Sequence, residues 1–377
     1  MVPSKFVFIP DSFKGTMSSA EVCEVMETAV RRHFPAARTV SIPVADGGEG
    51  SVDAFVRAVG GQEVRLTVSG PFGEPVNVKY AILRSGEAVI EMASCAGLPL
   101  VEGRANPEKT TTYGVGEQIL DAVRRGCRTV IVGLGGSCTT DGGCGAASAC
   151  GTVFLDESGN PFVPVGGTLK DIRTIRRGSL IPPDVRIVTM CDVDNPLCGQ
   201  TGAAYVFGPQ KGADPEMVVR LDGGLAHLAR TIRHDLGAEI LNLPGAGAAG
   251  GMGAGMVAFF GSELKMGIET VLDTTGFDRE VSDADFVFTG EGRIDSQSLR
   301  GKVVMGVARR CARLGTRAKV IAFVGDIGGD ISECYKQGVC AVFSTNRRAV
   351  PFSEARLSAR PDLEDTIDNF TGLIARL

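Results

Sequence analysis

The stretch Gly133–Gly151, GLGGSCTTDGGCGAASACG, sets glycines among Ser137, Thr139, Thr140 and Asp141 directly after the apolar run 129–132. Glycine allows positive φ and close approach of backbone to a ligand, and a strand feeding a loop and then a small-residue helix aims N–H groups outward. That suits a phosphate. The hydroxyls add contacts, and Asp141 offers an oxygen for a metal ion. A tight turn between packed elements would use the same residues, so context has to decide.

The surrounding chain repeats one grammar: strand, acidic or glycine-rich loop, helix. Lys5–Pro10 reads as a buried strand, and Ser18 with Glu21 forms a capping box that opens a helix to about His33. Between them lie Asp11, Ser12, Lys14 and Gly15, at a strand's C-terminal end, where open α/β sheets bind ligands. There Lys14 can offset phosphate charge and Asp11 can hold a metal. A strand over 38–44 ends in Asp46, Gly47, Gly48 and Glu49, which serve a metal or a substrate or simply cap the helix that follows.

Short alternating runs over 62–91 predict an antiparallel meander and a domain boundary. After the strand 185–190 comes CDVDNP, whose Asp192 and Asp194 form either an activating cluster or a turn held by its own side chains. From Phe286 the grammar returns: strand 286–289, loop 290–296, helix 301–314, strand 318–324. In that loop Arg293 fits a carboxylate and Glu291 or Asp295 a metal or a hydroxyl proton, and Lys302 at the start of the helix fits a phosphate. The expected architecture is α/β, with a discontinuous outer domain, 1–65 plus 285–377, and an inserted domain, 66–284.

Composition narrows the function. The formal charge of −5 comes without a Lys/Arg block, which argues against nucleic acid and anionic membranes. The uncharged run 240–262 is broken by Pro244 and many glycines and is not a membrane span. The N-terminus lacks a secretory pattern, so a cytoplasmic protein is expected. The eleven cysteines show no zinc or disulfide spacing and read as small packing residues. PGAGAAGG at 244–251 contains G-x-G-x-x-G with Glu269 at the distance of a ribose acid, but it lacks a full βαβ frame.

Glycine loops, carboxylates and a few basic residues without a credible His or Cys nucleophile are what metal-assisted phosphoryl transfer needs, and no G-x-x-x-x-G-K-[ST] is present. The blocks PDSFKG, PVADGGEG, TTYGVGE, GLGGSCTTDGG, CDVDNPLCG, VFGPQKGAD, PGAGAAGG and TGEGRIDSQS, in that order, resemble the bacterial type I glycerate kinases. The chain differs from that family's usual pattern at Cys138, at Thr140 and in VGDI at 324–327.

The resemblance implies two α/β domains around a cleft, one a mostly parallel three-layer sandwich and the other an inserted mixed-sheet domain. It also implies ATP- and Mg2+-dependent phosphorylation of D-glycerate, at the 2-hydroxyl, in the cytoplasm. The partner is then a small molecule, neither nucleic acid nor membrane, with a homodimer left open. On this reading Asp192, Asp295 and Lys14 are catalytic, with the proton acceptor being either Asp192 or Asp295. Arg293, Asp46 and Ser12 bind substrate. Gly135, Gly136, Ser137, Thr139, Thr140, Gly47, Gly48 and Lys302 face nucleotide phosphates, and Asp11, Asp141 and Glu291 hold the metal. The alternatives are an NAD-linked oxidoreductase resting on the 245–250 glycines and a non-catalytic sugar-acid-binding relative.

Overall fold

The structure is a computed structural model that describes residues 3–44, 48, 50–178, 180–295, 298 and 302–377. Expected contacts of Asp46 and Gly47 lie outside the described residues. In chain order the strands are β1 (Lys5–Pro10), β2 (Arg38–Ser41), β3 (Gly61–Ser69), β4 (Pro75–Leu83), β5 (Ala88–Glu91), β6 (Thr129–Gly133), β7 (Val153–Leu155), β8 (Pro161–Phe162), β9 (Thr174–Arg176), β10 (Arg186–Met190), β11 (Glu263–Lys265), β12 (Phe286–Ile294), β13 (Lys319–Ile327) and β14 (Val339–Ser344).

The chain divides into two compact units. The outer one comprises 1–45, 53–59 and 266–377, and the inserted one 46–52 and 60–265. The return to the outer unit thus falls at Met266 rather than 285. The helices Gly267–Thr274 and Phe277–Val281 pack on the helix Val303–Leu314, and Arg310 ties them down by pairing with Glu269, Asp273 and Asp278. The outgoing boundary likewise falls before β3, whose whole length pairs with β4.

The outer sheet has the order β14-β13-β12-β1-β2, with every pairing parallel. All six residues of β1 are buried, as a central parallel strand covered on both faces requires. Phenylalanines at alternate positions, Phe6 and Phe8 on β1 and Phe286 and Phe288 on β12, share one face of the pleat. They interlock with Phe323, Phe343 and Phe370 beneath the helices Ser19–His33 and Ala359–Ile374. The first of those helices begins at the expected capping box: Glu21 N donates to Ser18 Oγ, and Ser18 N to the Glu21 carboxylate at 2.8 Å.

The inserted sheet, β11-β10-β6-β5-β4-β3, is mixed. Strands β11, β10, β6 and β5 are parallel, and β4 and β3 complete it antiparallel. A small antiparallel sheet, β8-β7-β9, belongs to the same unit. The helix Ala248–Phe260 is buried almost all round, a position that its small residues allow. At Gly250, with φ +67°, a Cβ would overlap the carbonyl of Thr139, and Gly142 N donates to Gly250 O at 3.1 Å. The glycine run at 245–251 is therefore a close-packing device against the 139–143 segment.

The cysteines are free and mostly buried, as expected of small packing residues. Among the described residues no helix is long and apolar enough to cross a membrane.

Candidate active site

Parallel register brings the loops of each sheet to one edge. In the outer unit Pro10 is paired with Gly290, and Asp11 N donates to Gly290 O at 2.8 Å, so the loop after β1 lies against the end of β12. Phe13 and Met17 plug that loop into the core, with Phe13 N bonded to Met17 O at 2.9 Å, which leaves Ser12 and Lys14 turned to a pocket. Strand β12 runs on through Ile294, with Arg293 in register with Asp326, where the sequence suggests a loop from Gly290. The added ladder bonds to β13 account for the difference.

The resulting pocket has a volume of about 540 Å3. Asp11, Ser12, Lys14, Glu291, Arg293, Asp295 and Lys302, spread over nearly three hundred positions of sequence, all line it. Glu291 is only 5 % exposed, and its Oε1 has no hydrogen-bond partner among the described residues. Burial pushes its carboxyl up to about 7; Asp11 and Asp295 push the same way, while Ser298 and Lys302 hold it down. Arg293 is exposed and lies 3.7 Å from Asp326, its guanidinium fork open to the pocket.

A second, smaller pocket of about 220 Å3 opens at the edge of the inserted sheet. Gly133 on β6 pairs with Met190 on β10, so the two strand ends deliver Gly135–Ser137 and Asp192 side by side. The loop is pinned through Leu98 N to Gly136 O at 2.9 Å and Cys138 N to Ala96 O at 2.8 Å. Only its first half faces the pocket. Thr139 and Thr140 are 0 % and 1 % exposed and lie outside the lining, while their hydroxyl oxygens are buried without a hydrogen-bond partner among the described residues.

Asp141 is no metal ligand. It is fully buried and accepts from Thr112 N and Thr112 Oγ1 at 2.8 Å each, from Gly143 N at 3.1 Å and from Gly145 N at 3.2 Å. Those glycine N–H groups start the helix Cys144–Ala149; the carboxylate consumes them, and none is left to aim at a ligand. Burial pushes this carboxyl up while the four donors hold it down, and the upward push is the larger. Nor do three metal-capable side chains gather anywhere among the described residues. Gly48, also expected at phosphate, accepts a bond from Ser51 Oγ at 2.7 Å and lines neither pocket.

Sequence reasoning missed Lys211. It ends the short turn Pro209–Lys211, closed by Gly212 at φ +91°, and is 2 % exposed. Its Nζ donates to Ser137 Oγ at 2.9 Å and to Thr139 O at 2.7 Å, at the floor of the smaller pocket. The available signal was a Pro-Gln-Lys turn bracketed by glycines, which does not reveal burial.

The 245–250 glycines lose their dinucleotide reading: the element before them is the helix Pro215–Leu236 and not a strand, and Glu269 lies in the other unit, paired with Arg310 at 3.1 Å.

Comparison with known proteins draws these features together. The pattern of the family described as the glycerate kinase family matches residues 6–375. The chain belongs to the glycerate kinase family. It is thus an enzyme of a phosphotransferase family. The chain is 43 % identical to a glycerate kinase of Halalkalibacterium halodurans over 96 % of each chain, and 44 % identical to the glycerate 2-kinase of Escherichia coli K12 over 90 % of each. A crystal structure from Salmonella typhimurium LT2, assigned as glycerate kinase 2, matches with a TM-score of 0.86 at 40 % identity, covering 99 % of this chain and 98 % of the other. Membership accounts for the mixed α/β architecture and for the block order read from the sequence.

Proposed function

We propose that this chain transfers the γ-phosphoryl group of ATP to the 2-hydroxyl of D-glycerate, giving 2-phosphoglycerate and ADP, in the cytoplasm and with Mg2+. The observation that carries the reading is the outer pocket, in which two arginines, two lysines and five carboxylates, Arg293, Lys14, Lys302, Asp11, Glu291 and Asp295 among them, line one cavity of a glycerate kinase family member. In this assignment Arg293 grips the glycerate carboxylate with its planar fork, and Ser12 and Asp46 hold its hydroxyls. Lys14 and Lys302 neutralise charge on the transferring group, while Gly135, Gly136, Ser137 and Gly47 face the nucleotide phosphates.

Magnesium fits Glu291 and Asp11. Glu291 presents a buried carboxylate oxygen without a partner among the described residues, and Mg2+ is commonly held by one or two carboxylates together with substrate phosphates. When bound, the ion neutralises phosphate charge and lowers the barrier to attack.

A coupled assay with D-glycerate, ATP and Mg2+ tests the reading. Steady ADP formation is expected, and none at all would favour a non-catalytic sugar-acid-binding protein. In that assay Arg293→Ala should raise the KM for glycerate about tenfold or more, the loss of one bidentate charged contact; an unchanged KM removes Arg293 from the carboxylate.

The hydroxyl proton goes to Asp295 or Asp192. Asp295 lines the outer pocket, where its Oδ1 accepts from Ser298 N at 3.3 Å, and Asp192 lines the smaller one. Asp295→Asn and Asp192→Asn should therefore differ, with kcat falling roughly 100-fold or more in whichever removes the base. Full activity in both would end the proposal of a carboxylate base.

A further inference from the structure

The smaller pocket holds a buried ammonium whose direct partners among the described residues are all uncharged. Lys211 is fully enclosed, and its two hydrogen-bond acceptors, Ser137 Oγ and Thr139 O, are both uncharged. Among the described residues no carboxylate forms an ion pair with it. Asp141 is near enough to act on it electrostatically, but its oxygens are committed to Thr112, Gly143 and Gly145. A buried ammonium with no carboxylate in contact is costly, and a strongly perturbed group of this kind in a cleft is a mark of a ligand site.

The pocket wall carries a second mark of function. Ala249, which lines it, has φ +52°, the one positive-φ residue other than glycine among the described residues. Strain of this kind persists only where the surrounding structure over-determines it, and Gly136, itself at φ +74°, lines the same pocket. Two polar acceptors use part of the donor capacity of Nζ, and the cavity they border has room for phosphate groups.

We propose that Lys211 is the phosphate-binding cation of this pocket: Ser137 and Thr139 orient its ammonium, which donates to the nucleotide's phosphate oxygens beside Gly135 and Gly136. The assignment rests on the phosphoryl-transfer reading above.

Burial of Lys211 also makes the site sensitive to alkali. Burial lowers the Lys211 ammonium to about 8. The groups facing it are Cys138, whose thiol burial pushes up to about 12, so that it stays neutral, then Asp141, and Asp192 in the lining. Above pH 8 the unliganded lysine is therefore neutral, and an incoming phosphate must restore its proton.

The test compares wild type, Lys211→Met and Lys211→Arg by calorimetric titration with inorganic pyrophosphate at pH 7 and 9.5, and by steady-state kinetics. Lys211→Met should weaken pyrophosphate binding and raise the KM for ATP roughly tenfold or more, with the KM for glycerate within about twofold. Wild-type pyrophosphate affinity should fall about tenfold per pH unit above pH 8, and Lys211→Arg should abolish that fall because its charge persists.

Equal pyrophosphate affinity in wild type and Lys211→Met overturns the proposal, as does a rise confined to the KM for glycerate. If Lys211→Met fails to fold by circular dichroism, the wild-type and Lys211→Arg pH dependences decide alone, and identical curves overturn it. A chain that binds pyrophosphate through Lys211 yet never phosphorylates glycerate sinks the glycerate reading and leaves the site standing. Turnover with binding indifferent to Lys211 does the reverse.

Discussion

Asp141→Ala is expected to destabilise the inserted unit by roughly 3 kcal/mol or more, because a buried donor left unsatisfied costs about 1–3 kcal/mol and the change strands several at once. Thr112 N, Gly143 N and Gly145 N have no water to turn to, since Thr112, Gly143, Gly145 and Asp141 are all buried. Thr112 Oγ1 suffers less, because it can rotate and also accepts from Ala146 N at 3.0 Å. The chain has no tryptophan, so a urea titration followed by far-ultraviolet circular dichroism is the suitable measurement. Mg2+ half-saturation of the protein that remains folded should be unchanged. A loss below 1 kcal/mol, or a weakened Mg2+ dependence in a well-folded variant, would return Asp141 to the metal.

The second large effect belongs to Glu291→Gln, which should cut kcat about 100-fold or more while making the protein more stable at neutral pH. The activity loss follows from removing a carboxylate from the proposed Mg2+ site. The stability gain has a separate origin. The Glu291 carboxyl is raised from an ordinary value of 4.5 to about 7 by burial first and by Asp11 and Asp295 next. Between those limits the folded state holds a proton that the unfolded state has released, so wild-type stability falls as pH climbs from 4.5 to 7 and is level beyond. Glutamine carries no such titration. The variant's advantage should therefore be absent at pH 4, grow through that window and reach on the order of 2 kcal/mol. Thermal unfolding at pH 4, 5.5 and 7.5 checks it; parallel curves for the two proteins would show that Glu291 ionises normally.

Asp11, Ser12, Lys14, Arg293 and Asp295 were legible in the sequence because each follows a short apolar run and precedes a helix, the place where a parallel sheet presents its loops. That pattern reports which edge of the sheet a residue reaches. It does not report whether backbone donors have already taken the residue's oxygens, and so Asp141 looked the same as Asp11 until the helix Cys144–Ala149 was seen to use it.

Burial of Thr139 and Thr140 depends on Gly250, more than a hundred residues away, closing on the Thr139 carbonyl, a contact with no local trace. The boundary at 266 was hidden for another reason. β11 is only three residues long, and the helices after it declare their allegiance through Arg310, far along the chain. Lys211 was invisible because a lysine between glycines is usually a solvated turn.

The outer sheet places β1 beside β12, and Ser4 N reaches the Asp285 carboxylate across 281 residues of chain. During synthesis the first strand therefore emerges long before the neighbour that completes its hydrogen bonding, whereas the inserted unit is contiguous from Gly60 to Lys265 and can close on itself in the interval. Order of assembly is thereby written into the topology: the inserted unit matures first, and Asp11 and Lys14 acquire their partners across the outer pocket only when the last quarter of the chain arrives. Nascent chains halted before β12 should hold a protease-resistant inserted unit and an unprotected N-terminal strand.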